Sequence, residues 1–146
     1  MSAAGSFLGA LLAAGLWAAA PAPPPAPEVP VYKAPVLVRA MGFAARYKSG
    51  KVLTSWKRYK RADFRSYKLV RSSTMHDPVF PENGEIFSTS QATVTAFEDG
   101  AVDPGVWYYR LCIITKTGER WVSPVVEVKA VSETVLGNMP KDKDFE

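Results

Sequence analysis

The sequence is short of the residues that most chemistry needs. Among 146 residues there is one cysteine, Cys112, and one histidine, His76. A lone thiol excludes an intrachain disulfide and leaves the redox compartment open. One cysteine and one histidine cannot supply a zinc cluster of those ligands. There is no glycine-rich phosphate loop and no convincing helical period in the body of the chain. Residues 2–20 carry no charge at all, and residues 72–109 contain no Lys or Arg. The formal net charge, +4, is too mild by itself to imply a nucleic-acid partner.

What is present begins with an apolar segment. Residues 2–20 set Phe7, Leu8, Leu11, Leu12, Leu16 and Trp17 among alanines and small residues. This pattern fits the apolar region of an export signal followed by small residues for cleavage. Two features fit it badly. The start has no Lys or Arg, and Ala18 and Ala20 are followed by Pro21, which signal peptidase tolerates poorly. The segment is also near the length that spans a bilayer. Residues 1–20 therefore read as a cleaved signal peptide, as a retained membrane or assembly helix, or as a soluble extension. No cysteine follows closely, which excludes a bacterial lipoprotein.

Residues 21–34 form a Pro-rich linker. Its first ten residues, Pro-Ala-Pro-Pro-Pro-Ala-Pro-Glu-Val-Pro, have lost most backbone donors and have fixed φ angles. They are expected to extend as a polyproline-type spacer of about 30 Å, at roughly 3 Å per residue.

The pattern then turns to β. Val36-Leu37-Val38 is a short apolar run. Val52 to Trp56 follows a Ser49-Gly50 turn signal. Ser66 to Arg71 is aromatic and β-branched, and Thr93 to Phe97 precedes Asp99-Gly100. Val106 to Thr115 is closed by Lys116-Thr117-Gly118, and Trp121-Val122 and Val125 to Val128 complete the series. Short strands spaced by turn signals predict an all-β sandwich or barrel. The domain is expected over 35–130, with a charged tail over 131–146.

The residues themselves suggest a family. Gly105-Val-Trp107-Tyr108-Tyr109-Arg110-Leu111-Cys112-Ile113 resembles the sixth strand of fibronectin type III domains. Ser123-Pro124-Val125-Val126-Glu127-Val128 resembles their last strand, and Trp56 ends a second strand. The stretch from Ser66 to Ile86 resembles a bacterial variant of the module. The resemblance implies an antiparallel fibronectin type III-like β-sandwich of envelope or secreted type. Alternate residues of each strand should face the core. Arg110 should not be buried unpaired, so Trp107, Tyr109, Leu111 and Ile113 are expected to face inward, with Trp56 between the sheets and Val126 and Val128 from the last strand. Two departures stand out. Trp107 occupies the place of the family's corner tyrosine, and Thr54 sits where a large aliphatic is usual.

Candidate chemistry is thin. His76 lies in the turn signal Met75-His-Asp-Pro and lacks a tuning partner in the sequence. Cys112 falls on the opposite parity from the core set, beside Arg110 and Tyr108. It reads as a small half-buried apolar residue, as a thiol for an intermolecular disulfide or as a reactive thiol. Glu98, Asp99 and Asp103 match no strong calcium-loop spacing and read as a solvated connection. No catalytic residues, cofactor or metal are expected.

Charge placement is the more informative signal. Residues 46–71 hold ten Lys and Arg against one acid, Asp63, whereas residues 72–109 hold six acids. The loop after the second strand should form a basic tip of Lys57, Arg58, Tyr59, Lys60, Arg61 and Arg65. Such a tip would attract anionic partners; an ordinary solvated surface is the plain alternative. The expectation is a non-catalytic binding or scaffolding module, extracytoplasmic and in the periplasm, at the envelope or secreted. Its partner would be another protein or its own copies, or an anionic envelope polymer, with membrane attachment through residues 2–20 if these are retained. No nucleic-acid partner is expected. The alternative is a structural subunit of an extracellular filament or envelope complex, assembled through the apolar segment and by pairing of oppositely charged faces.

Overall fold

The computed structural model describes residues 20–26, 31–132 and 140–144. The expectations for residues 1–20 therefore lie outside the described residues, apart from Ala20. Among the described residues no helix is long and apolar enough to cross a membrane.

The described residues form strands β1 (Pro35–Leu37), β2 (Ala44–Lys48), β3 (Lys51–Ser55), β4 (Phe64–Ser72), β5 (Glu85–Thr89), β6 (Ala96–Asp99), β7 (Gly105–Thr115), β8 (Arg120–Val122) and β9 (Val126–Ala130). One sheet runs β2-β3-β6. The other runs β1-β8-β7-β4-β5, with β9 also on β7. The pairings are antiparallel except β1 with β8. The result is an all-β sandwich whose core lies between the two sheets.

Local chemistry explains the corners. Ser49 and Gly50 both have positive φ, 51° and 82°, the requirement of a tight two-residue hairpin turn between β2 and β3. The first strand of the sandwich is split. β1 lies along β8 in one sheet, the chain turns through a 3-10 segment, Arg39–Met41, and Gly42 at φ 60° sends it into β2 of the other. The last strand is split too. Pro124 has no N–H to give the ladder, and β8 and β9 pair with separate halves of β7 on either side of it. Ser123 bridges the gap: its N–H donates to the Leu111 carbonyl at 2.9 Å, and its Oγ accepts from the Leu111 N–H at 3.0 Å.

Two strands carried little sequence signal. β2 has only Ala45 and Tyr47 facing inward, and alanine says little about a β period. β5 is not among the strands expected from the sequence; pairing with β4 makes it one.

The interior has two neighbouring clusters. Met41, Trp56, Tyr67, Leu111 and Ile113 form one. Val52, Tyr109 and Val128 form the other, with Trp107 and Val126 half-buried against it. Thr54 is buried because its Oγ1 donates to the Phe97 carbonyl at 2.8 Å. The Trp107 indole N–H donates to the Asp103 carbonyl at 2.8 Å and so ties the start of β7 to the preceding turn.

Three sequence expectations need correction. First, Cys112 is not half-buried on an open face. It is fully buried in a third cluster with Ile114 and Val122, beneath Tyr32 and Phe80. Covering the outer side of β7 makes both parities of its second half apolar, and it closes the intermolecular disulfide to the folded chain. Secondly, the folded unit starts before residue 35. Tyr32 meets Phe80 edge to face at 5.6 Å, the Lys33 N–H donates to the Gly118 carbonyl, and the Arg120 Nε donates to the Lys33 carbonyl at 2.7 Å. Residues 31–34 thus strap the outer face. Thirdly, Asp99 is no solvated loop residue. It is buried, and its carboxylate accepts from Arg71 at 2.6 Å, from the Tyr109 hydroxyl at 2.7 Å and from the Ala101 N–H at 3.2 Å. A buried carboxylate persists because the charge is paired and hydrogen-bonded.

Candidate functional site

The connection from β3 to β4, residues 56–63, closes one end of the sandwich. Its backbone is held at several points. The Trp56 N–H donates to the Thr95 carbonyl and the Lys57 N–H to the Met41 carbonyl. The Tyr59 N–H donates to the Tyr67 hydroxyl at 2.8 Å, and that hydroxyl donates to the Ala92 carbonyl at 2.9 Å. The Tyr59 hydroxyl donates to Asp63 at 2.7 Å, and the Asp63 carbonyl accepts from the Lys116 N–H. Tyr67 is the anchor. It sits fully buried on β4 against Trp56 and Phe64, and its hydroxyl joins this loop to the one before β6.

From this fixed backbone the cations project outward. Lys57, Arg58, Lys60, Arg61 and Arg65 are exposed, while Tyr59 is half-buried. Arg61 pairs loosely with Asp63 at 3.7 Å. Lys57, Arg58, Lys60 and Arg65 have no carboxylate within ion-pair reach among the described residues. The structure adds a cation that sequence distance had separated from the tip: Lys116 is tied to Asp63 through its own N–H. Gathering like charges raises the local potential and draws in anions.

Beside the loop is an open pocket of about 330 Å³, with Val38, Ala40, Met41, Ile113 and Trp121 as apolar lining and Lys57, Arg58, Tyr59 and Arg61 on its polar side. Burial, then the hydrogen bond and charge of Asp63, push the Tyr59 phenol up; Arg61 and the nearby Trp121 indole pull against them. The Tyr59 hydroxyl therefore stays protonated as a donor. The buried Trp121 N–H falls short of a hydrogen bond to any acceptor, as does that of Trp56. The combination suits a ligand with an anionic group beside an apolar or ring-like surface.

The other sequence candidates lie elsewhere. His76 is exposed and tilts against the Tyr108 ring at 4.6 Å. Trp107 sits under Arg71, whose guanidinium is 4.6 Å from its ring. Both belong to the far half of β7. Among the described residues no three His, Cys, Asp or Glu side chains gather as a metal site. The two arrangements that sequence reasoning missed are Asp99 with Arg71 and Tyr109, and Arg120 with Glu82 at 3.0 Å and the Phe80 carbonyl at 2.9 Å. Neither had a signal in the sequence: Arg71 shares its strand with Arg65 and Lys68, and Arg120 opens a strand of three residues.

No protein-family model and no curated protein matches the chain. Solved structures do resemble it. An Fn3-like protein from Clostridium thermocellum aligns with a TM-score of 0.47 at 19% identity, over 62% of this chain and 90% of that one. The sixth fibronectin type III domain from human fibronectin type III domain containing protein 3 aligns with a TM-score of 0.48 at 15% identity, over 77% of this chain and 97% of that one. Pectate lyase PelI from Erwinia chrysanthemi, in complex with tetragalacturonic acid, aligns with a TM-score of 0.47 at 17% identity over 58% of this chain. The chain spans only 27% of the length of that lyase. Strand order β2-β3-β6 against β9-β7-β4-β5 makes the all-β sandwich that the resemblance in sequence implied.

Proposed function

We propose that this chain is a non-catalytic binding or scaffolding module that works outside the cytoplasm and meets an anionic partner with the end of the sandwich formed by residues 56–63. The observation that carries the reading is the contrast within that loop: a backbone held by hydrogen bonds, and Lys57, Arg58 and Lys60 without an acid partner among the described residues. Preorganised groups lose little freedom on binding. The partner class is an acidic protein face or an acidic envelope polymer. Catalysis is not part of the reading. Cys112 is sealed beneath Tyr32 and Phe80, and His76 faces an aromatic ring instead of an acid or base partner.

Heparin serves as the probe polyanion. The full chain should be retained, with affinity that falls as salt rises. Replacing Lys57, Arg58, Lys60 and Arg61 together by Glu should abolish retention. An unchanged salt slope in that variant would reduce the basic end to ordinary solvated surface.

A second reading, a structural subunit of a filament or envelope complex, is favoured by the outer edge of β1. Val36 and Leu37 there are 48% and 46% exposed, and an open edge can accept a neighbour's strand. Mass spectrometry of the native N-terminus separates the two. A start at Pro21 or later supports the secreted module; an intact Met1 within a large particle supports the subunit.

A further inference from the structure

The outer face of the β2-β3-β6 sheet has no layer over it among the described residues. On β2 the outward residues are Ala44, Arg46 and Lys48; on β3 they are Lys51, Leu53 and Ser55; on β6 they are Ala96 and Glu98. The register sorts them into rows. Ala44, Ser55 and Ala96 stand side by side, as do Arg46, Leu53 and Glu98. The small row leaves a shallow trough of about 430 Å³ floored by alanine, serine and leucine, with Arg46 on one side and Glu98 on the other.

We infer that this face is a self-association surface, pairing two copies of the chain about a twofold axis that runs along β3. The reason is the order of charge across the sheet. Strands lie 4.7–4.9 Å apart, so Arg46 and Glu98 are separated by about 10 Å across Leu53. Turning a second copy over about an axis along β3 exchanges the two sides of the sheet. Arg46 then faces the second copy's Glu98, and Glu98 faces its Arg46. Leu53 meets its own image, and each alanine of the small row meets the other. An axis across the strands would set Arg46 against Arg46 and Glu98 against Glu98, so charge selects one arrangement. Near-parallel strands are also the common way for two sheets to stack, at about 30°. Lys51 lies one row further along β3 and, like Leu53, meets its own image; it leans to Glu98 at 3.6 Å, the acid that the second copy's arginine also meets.

A different occupant, such as an apolar helix, would gain from the trough but would leave Arg46 unanswered and Glu98 with Lys51 alone. The face offers eight outward residues, against the roughly 20–30 a side of a standard interface. The pair is accordingly weak and forms at high local concentration. It lies apart from the basic end and does not depend on what that end binds.

The test is sedimentation of the full chain between about 10 μM and about 1 mM, a range suited to a weak pair. Wild type should pass from monomer towards dimer. R46E and E98R should each lower self-association by about tenfold or more, because like charges then face each other. Mixing R46E with E98R should restore it, since each copy then supplies what the other lacks. The double variant R46E/E98R should associate as wild type does. Both side chains are exposed, and the mixture tests both variants in their folded form. A wild type that stays monomeric throughout, single variants that associate like wild type, or a mixture that fails to pair would each overturn the inference.

Discussion

Cys112 shows how one residue changes meaning with its surroundings. In sequence it is a lone thiol on the parity opposite the core. In the fold it has no exposure, and burial pushes it up to about 12 from an ordinary 9.0, with Arg120 and Arg110 pulling against the shift. A raised value means that the folded thiol keeps its proton after the unfolded one has lost it. Stability is therefore complete below the unfolded value and is lost as pH rises from 9.0 towards about 12. While only the unfolded thiol ionises, the loss is about 1.4 kcal/mol per pH unit. Burial and the Asp99 hydrogen bond push the Tyr109 phenol up as well, in the same direction. Urea unfolding at rising alkaline pH should show falling stability, and Cys112→Ala should flatten the fall. An identical slope in C112A would mean that the folded thiol ionises freely.

Elements, too, take their role from what covers them. β7 is eleven residues long, and its two faces meet different layers. Tyr109, Leu111 and Ile113 face the space between the sheets; Cys112 and Ile114 face the strap of residues 31–34 and the Phe80 loop. The strap is held by Tyr32 against Phe80 and by Arg120, whose guanidinium reaches the Lys33 and Phe80 carbonyls and Glu82. Removing the Tyr32 ring opens the cover without touching the inner core. Tyr32→Ala should cost about 1–3 kcal/mol in denaturant unfolding, at the low end for a half-buried aromatic. An aromatic disulfide reagent should also label Cys112 at least about tenfold faster in Y32A, because local opening becomes cheaper than global unfolding. Equal labelling rates would place the guard of Cys112 elsewhere.

At the scale of the whole molecule the question is whether charge acts by amount or by place. The acids of residues 72–109 are largely taken up within the domain: Glu82 by Arg120, Glu85 by Lys68, Glu98 by Lys51 and Asp99 by Arg71. Of the cations of the 56–63 loop, Arg61 alone meets an acid among the described residues, Asp63 at 3.7 Å, and Lys116 joins them from the far side of the sequence. Lys116→Glu and Lys129→Glu change net charge equally. Lys129 lies on β9, beside the other half of β7. If place governs, K116E should weaken polyanion retention and lower its salt slope, while K129E should leave both close to wild type. Equal effects would make net charge the governing quantity.

The all-β class, the inward row of β7, Trp56 between the sheets and the basic run before Phe64 were legible because each depends on a local pattern. A period of two sorts one strand's faces, and a turn signal marks its end. The covered outer face of β7, the strap from Tyr32 to Lys33, the buried Asp99 and the arrival of Lys116 at the basic end depend on which distant segments meet. A polar or small residue takes its exposure from its neighbours in space, and these are set by packing and pairing across long separations. The sequence by itself determined the sandwich and the basic loop. Tertiary structure alone decided that Cys112 is sealed, that residues 31–34 belong to the fold, and that Arg46, Leu53 and Glu98 stand in one row.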